Sequence, residues 1–187
     1  MYPIDSPFTF LNRIEEIELN ISDERWQSAL ALALTIPDIC GGIAFAEIVK
    51  RYRDGRIMLD RKKRPARDIG QQYMKWFDEY AASFFINENS EQPYICGKRC
   101  WQLRCEYLHQ NKGFDNEEDD VHFHLGVNCG TSICSNPLDS ASSIHIDIKE
   151  FCLRMTQAAR SYYEAMKDST DFTIYNTPVL DFTPSHH

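Results

Sequence analysis

The residues best suited to chemistry are Arg104 and His109, which lie in one short stretch of the chain, residues 96–113. Apolar side chains stand among helix formers there, and Gly113 suits a helix end in the left-handed conformation. The pattern predicts a helix with Arg104 and His109 in its last two turns. A five-residue step turns the two side chains about 140° apart, so they flank one edge of the helix. One such pair alone makes a poor catalytic site.

A second group of polar residues alternates with apolar ones along two predicted strands. Residues 121–127 and residues 144–148 both alternate in this way, so each strand has one apolar and one polar face. If the strands pair in register, three imidazoles and a carboxylate come within reach of one metal ion. The residues of the polar faces are His122, His124, His145 and Asp147. Two alternatives to a metal site are that this polar face is an ordinary solvent-exposed surface or that it lines the Arg104/His109 cleft.

Cysteine chemistry offers a competing interpretation of the same stretch. Cys96 and Cys100 are one helical turn apart, and Cys105 and His109 repeat that spacing, so each pair could hold a metal. Cys96 and Cys105, however, lie on opposite sides of a straight helix, so all four cannot converge. The seven cysteines therefore fit small buried side chains better than a metal site or a disulfide framework.

Composition limits the class of protein. The chain has 187 residues, 43% of them hydrophobic, which is typical of one folded domain. Its net charge of -8 argues against a generic nucleic-acid coat protein. No signal peptide is visible, and Pro37, Asp38, Gly41 and Gly42 interrupt the most apolar segment. We therefore expect a cytoplasmic protein that binds no membrane, no DNA and no cofactor.

Positive charge is concentrated in residues 50–67. This segment holds nine of the chain's 20 basic residues and only two acids. Two interpretations stay open, a surface that steers a phosphate backbone towards a nearby site and a solvated connection between helices. The weaker candidates for substrate binding are Arg61, Lys62, Lys63, Arg64, Gln110 and Asn111.

Hydrophobic periodicity predicts a mainly α fold with four or five helices. Apolar residues recur at helical spacing near residues 8–19, 23–35, 68–85 and 149–166. The pair Gly41 and Gly42 indicates a close approach of another backbone. Turn residues between the two strands predict a two-stranded β hairpin, about residues 121–148, before the last helix. Residues 1–168 are expected to form the domain and 169–187 an arm or partly disordered tail, in which His186 and His187 have no assigned role.

Arg104-x4-His109 near a helix end, inside a mainly helical chain, resembles the motif of the HEPN superfamily (higher eukaryotes and prokaryotes nucleotide-binding domain). The neighbouring residues Leu103, Cys105, Leu108 and Gln110, the Trp76 helix before them and residues 146–152 after them look similar to small uncharacterised bacterial proteins of that group. The resemblance spans roughly residues 25–165. It implies a HEPN-like bundle that dimerises so that two Arg/His pairs face each other in a cleft.

In many members of that superfamily the cleft cuts RNA without metal, often in toxin, phage-defence or stress-response systems. The resemblance thus implies a homodimeric ribonuclease, with an antitoxin or another regulatory protein as a further partner. Arg104 would bind the scissile phosphate and His109 would act as general acid and base. Active members usually carry a polar residue, often Asn, where this chain has Cys105, and Gln110 or Asn111 would have to substitute. The alternative is a non-catalytic HEPN-like module that binds a nucleotide or completes a dimer interface.

Overall fold

The computed structural model describes residues 9–86, 91–109, 121–135 and 142–176. Within these residues the protein is mainly helical, with a small sheet before the last helix, as the sequence predicts. The helices are α1 (Phe10–Ser22), α2 (Trp26–Ala33), α3 (Ile36–Ala44), α4 (Ile69–Trp76), α5 (Gly97–His109) and α6 (Ile148–Met166). The strands are β1 (Val121–Gly126), β2 (Ser132–Ser135) and β3 (Ser142–Asp147).

The core lies between the amphipathic faces of the helices. Helices α1, α2 and α6 pack on one another, while α4 packs between α3 and α5. The apolar residues that recur at helical spacing in residues 68–85 belong to the core, because Tyr73, Trp76 and Phe77 are fully buried. Burial of large apolar side chains is the main term that holds such a bundle together.

Side chains that accept hydrogen bonds from free backbone N–H groups fix the beginnings of three helices. Thr9 caps α1, Asp68 caps α4 and Asp147 caps α6, each accepting from the N–H three residues later. Helix α2, in contrast, begins after Arg25 without a side-chain cap.

The close approach expected at Gly41 is confirmed. A Cβ atom at this position would lie 2.5 Å from the backbone oxygen of Gln72 in α4. Real Cβ contacts are longer than this, so only glycine lets α3 and α4 pack at this distance. The two helices that carry Asp38 and Tyr73 are therefore held in direct backbone contact.

The helix after residue 68 changes its pitch twice. Helix α4 continues as a π-helix over Phe77–Ala81 and a 3-10 turn over Ala82–Phe84. Within the π-helix, Asp78 accepts a hydrogen bond of 2.7 Å from the backbone N–H of Gly97, the first residue of α5. The wider turn thus fixes the beginning of the helix that carries Arg104.

The expected hairpin between the strands at 121–127 and 144–148 is wrong. Strand β3 lies in the middle of the sheet, parallel to β1 and antiparallel to β2. The antiparallel neighbour is β2, which lies in the segment that was expected to connect the two strands of the hairpin. The alternation of β1 and β3 defines two faces but not the direction of pairing, which depends on the connection between them.

One segment, Trp26–Ala44, is by length and composition apolar enough to cross a membrane. Half of it is buried within the fold, where α2 and α3 pack on their neighbours. Core helices of folded domains pass the same test.

Beyond α6, Phe172 packs against Phe10, Tyr162 and Tyr163.

Candidate functional site

Arg104 lies on α5, five residues before the helix ends at His109, as expected. Its side chain is 16% exposed, and its Cζ atom lies 5.0 Å from the centroid of the Trp101 ring. An arginine stacked on an aromatic face is held in one orientation while its N–H groups still point outward from the ring. The guanidinium is therefore positioned by its own helix.

Asp38 connects Arg104 to a second arginine. Nη2 of Arg104 lies 3.9 Å from one carboxylate oxygen of Asp38, and Nη2 of Arg67 lies 3.1 Å from the other. Arg67 also donates to the backbone oxygen of Asp38 and, through Nε, to the side chain of Gln72. Two guanidinium groups thus share the carboxylate of Asp38.

Gln72 anchors this arrangement to the core. It is fully buried, and its amide nitrogen donates to the backbone oxygens of Phe45 and Ile48, both at 2.9 Å. Its side-chain oxygen accepts from Nε of Arg67 at 2.8 Å. Both polar atoms of the Gln72 amide group therefore form hydrogen bonds, and the bond to Nε fixes the position of Arg67 relative to α4.

An aromatic and thiol wall closes the inner side of the site. The Tyr73 hydroxyl lies 3.3 Å from the sulfur of Cys100, and the Tyr73 ring packs edge-on against Trp101. Burial raises the pKa of Tyr73 well above its usual range, and it raises that of Cys100 to about 12. Both groups therefore stay neutral at physiological pH and act as packing, not as nucleophiles.

Cys105, at the position where active HEPN proteins usually have a polar residue, is directed inward. The residue is 7% exposed, and burial raises the pKa of its thiol, which the adjacent Arg104 lowers in part. An inward side chain does not reach a substrate on the surface of α5. The side chain of His109 and residues Gln110 and Asn111 lie outside the described residues.

The four polar residues predicted to share one face of the sheet have different surroundings in the structure. His124 and His145 are direct partners in the β1–β3 register, and their rings stack with centroids 4.7 Å apart. Asp147 accepts from the backbone N–H groups of Cys129 and Glu150, at 2.9 and 3.1 Å. Within the described residues no group of three or more His, Cys, Asp or Glu side chains fits a metal ion.

The remaining histidine of that face, His122, is near enough to Glu106 on α5 to influence its pKa. Desolvation raises the pKa of Glu106 on α5, and the charge of the nearby His122 on β1 acts in the opposite direction.

The basic segment is a folded unit, which we call the basic module, residues 48–68. Isolated antiparallel bridges join Val49 to Arg67, Arg51 to Ile57, and Leu59 to Pro65. Its two acids are paired with arginines inside the module, Asp54 with Arg56 at 2.7 Å and Asp60 with Arg64 at 3.0 Å. The candidate substrate-binding residues Arg61, Lys62, Lys63 and Arg64 are all exposed.

Sequence reasoning missed the two residues that organise the site, Asp38 and Gln72. Asp38 lies in the first turn of α3, and its carboxylate faces Arg67 and Arg104. The available signal was a lone acid in a highly apolar segment, which often marks a paired charge.

No family model matches the chain, and no curated protein or solved structure matches it.

Proposed function

We propose that this chain is a HEPN-like protein that acts on RNA as a homodimer and cleaves it without a metal ion. Arg104 binds the scissile phosphate and stabilises the charge that develops on it. His109 takes the proton of the ribose 2′-OH and returns a proton to the leaving oxygen. A second copy of the chain contributes an equivalent pair across a two-fold axis.

The observation that carries this proposal is the convergence of Arg104 and Arg67 on the single carboxylate of Asp38. Two arginines thus lie close together on a protein whose net charge is -8. A local positive potential on an acidic surface attracts a phosphate to that place and to few others. Because Trp101 already orients Arg104, little side-chain freedom remains to be lost when a phosphate binds.

A second candidate function is favoured by the low exposure of Arg104, 16%. In a non-catalytic HEPN-like module, Arg104 and His109 bind a nucleotide or complete a dimer interface, and Asp38 is the permanent partner of Arg104. Substitution of Arg104 by Ala would then weaken folding or assembly. In the ribonuclease it leaves the folded homodimer intact and removes cleavage.

The test is cleavage of structured and unstructured RNAs in EDTA by the wild type, Arg104→Ala and His109→Ala. We expect products with 2′,3′-cyclic phosphate ends and a loss of about 10²–10⁴-fold in rate for His109→Ala. Circular dichroism and sedimentation serve as controls for folding and assembly. A wild type that cuts none of these RNAs would refute the nuclease and favour the binding module.

A further inference from the structure

The basic module is closed on itself by a ring of backbone hydrogen bonds. The N–H of Lys50 donates to the oxygen of Ala66, Ala66 donates to Met58, and Met58 donates to Lys50, at 2.8 to 2.9 Å. These three residues are eight positions apart in the sequence. The module is therefore a self-bonded unit with an eight-residue internal repeat, and not a loose connection between helices.

Each of the first two repeats forms a tight turn, or tip, of the same geometry. The first tip is closed by a hydrogen bond of 2.8 Å from the N–H of Tyr52 to the oxygen of Arg56. The second is closed in the same way, at 2.7 Å, from Asp60 to Arg64. The two tips thus superimpose in hydrogen-bond pattern, with every residue of one matched by the residue eight positions later.

The match extends to the backbone conformation. Gly55 and Lys63, the equivalent residues of the two tips, both have positive φ, 83° and 59°. A left-handed residue at this point is typical of a three-residue hairpin loop. Since lysine adopts this conformation only at a cost, the surrounding hydrogen bonds of the second tip must hold it there.

The last arginine of each tip is fixed across its turn. Arg56 lies over the Tyr52 ring, with Cζ 5.5 Å from its centroid, and Arg64 forms two hydrogen bonds with the carboxylate of Asp60. The exposed arginines at the first loop position of each tip, Arg53 and Arg61, are equivalent and eight residues apart. The module therefore presents two matching cationic tips.

Charge indicates what these tips bind. Residues 50–67 carry nine basic and two acidic side chains, a net charge of +7, so the rest of the chain carries -15. Hydrogen bonds from Arg56 and Arg64 lower the pKa values of Asp54 and Asp60, and the acids remain ionised and paired. A repeated cationic element on an acidic body is complementary to an anion whose charges also repeat.

We propose that the two tips hold the phosphate backbone of one single-stranded RNA, with Arg53 and Arg61 each binding a phosphate. From the tips the strand passes Arg67, at the end of the module, to Arg104. The exposed face of Tyr52, beside Arg56, is available to stack on a base. This inference rests on RNA being the substrate of the proposed function, but it does not require cleavage.

An anionic membrane is the competing partner, because Ile57 and Leu59 are 42% and 59% exposed on the module. The charge distribution favours RNA. A flexible strand can follow the tips and turn away from the acidic body, whereas a flat anionic surface would also face that body and be repelled.

The test measures the affinity for a labelled 2′-O-methyl oligoribonucleotide, which lacks the free 2′-OH that cleavage needs, by fluorescence anisotropy between 50 and 300 mM salt. The variants are Arg53→Ala, Arg61→Ala and the double variant, with Arg25→Ala and Lys149→Ala as exposed controls. Each tip variant should lower the slope of log K against log salt by about 0.7, and the double variant by about 1.4. At 0.1 M salt the double variant should bind about 25-fold more weakly.

An unchanged salt slope in the double variant, or a loss confined to one tip, would overturn the two-tip arrangement. Binding of the wild type to phosphatidylserine vesicles and not to RNA would assign the module to a membrane instead. Cleavage assays separate this inference from the proposed function. If the wild type binds RNA but does not cut it, and the tip variants bind more weakly as expected, the result supports the tips and refutes the nuclease. A double variant with unchanged kcat/KM refutes the tips alone.

Discussion

The guanidinium of Arg104 lies 3.9 Å from the carboxylate of Asp38, at the outer limit of an ion pair. Arg67 holds the same carboxylate at 3.1 Å and also binds the Asp38 backbone oxygen. Asp38 is thus fixed mainly by Arg67. An incoming phosphate could therefore displace Asp38 from Arg104 without breaking the stronger of the two pairs.

Substitution of Asp38 by Asn tests this relationship. Removal of the carboxylate makes the local charge more positive by one unit, so RNA affinity should rise about fivefold at 0.1 M salt. Because the Asp38 and Arg67 side chains are 27% and 33% exposed, stability should fall by only about 0.5–1 kcal/mol. Asp23→Asn, which removes the acid of the exposed Arg25 pair, is the control. Equal RNA affinity in both variants would contradict a phosphate site at Arg104.

Gly41→Ala should destabilise the protein. The new Cβ would lie 2.5 Å from the backbone oxygen of Gln72, so α3 and α4 must separate, at about 1–3 kcal/mol. Gly70→Ala is the matched comparison, since its Cβ would meet only the Trp101 side chain, at 3.3 Å. Urea unfolding measures both. A Gly41→Ala protein as stable as Gly70→Ala would show that the two helices are not in backbone contact.

The buried thiols give the stability a defined pH dependence. Burial raises the pKa of both Cys100 and Cys152 to about 12. Between the ordinary thiol pKa and this value, each thiol keeps its proton in the folded state and loses it on unfolding. Stability should be complete below the usual thiol value, about pH 8.5, and fall towards pH 12 by about 1.4 kcal/mol per pH unit for each group.

Urea unfolding at several pH values between 8 and 11 measures this slope. Cys152→Ala lowers stability at every pH because it leaves a cavity, but it should remove one thiol's share of the slope. A slope equal to that of the wild type would mean that Cys152 is not a protonated buried thiol.

Asp147 should prove to be a structural residue and not a metal ligand. Asp147→Ala removes the cap of α6 and the acceptor for Cys129, and we expect a loss of about 1 kcal/mol. Asp147→Asn keeps an oxygen acceptor and should retain most of the stability. Protein purified without a tag should contain less than one equivalent of zinc by mass spectrometry. A stoichiometric metal lost in Asp147→Asn would restore the metal-site interpretation.

The parts of the fold that sequence predicts are those encoded by local periodicity. The helix carrying Arg104 and His109 and the buried face of α4 follow from apolar spacing within a few turns. The pairing of β1 with β3 does not, because it depends on where the connection between the strands runs. Asp38 and Arg104 are 66 residues apart, and no spacing rule relates two side chains that meet only through the packing of α3, α4 and α5.

The two ends of the basic module are neighbours, because the N–H of Asp68 donates to the oxygen of Ile48 at 3.2 Å. The module therefore resembles an insertion between α3 and α4, in which the chain leaves the helical bundle and returns to it at the same place. The length and composition of its two tips are free to change without altering the distance that α3 and α4 must span or the contacts that Arg67 makes. Substrate preference in such an architecture can diverge by exchange of one contiguous segment, while the helices that hold Arg104 stay the same.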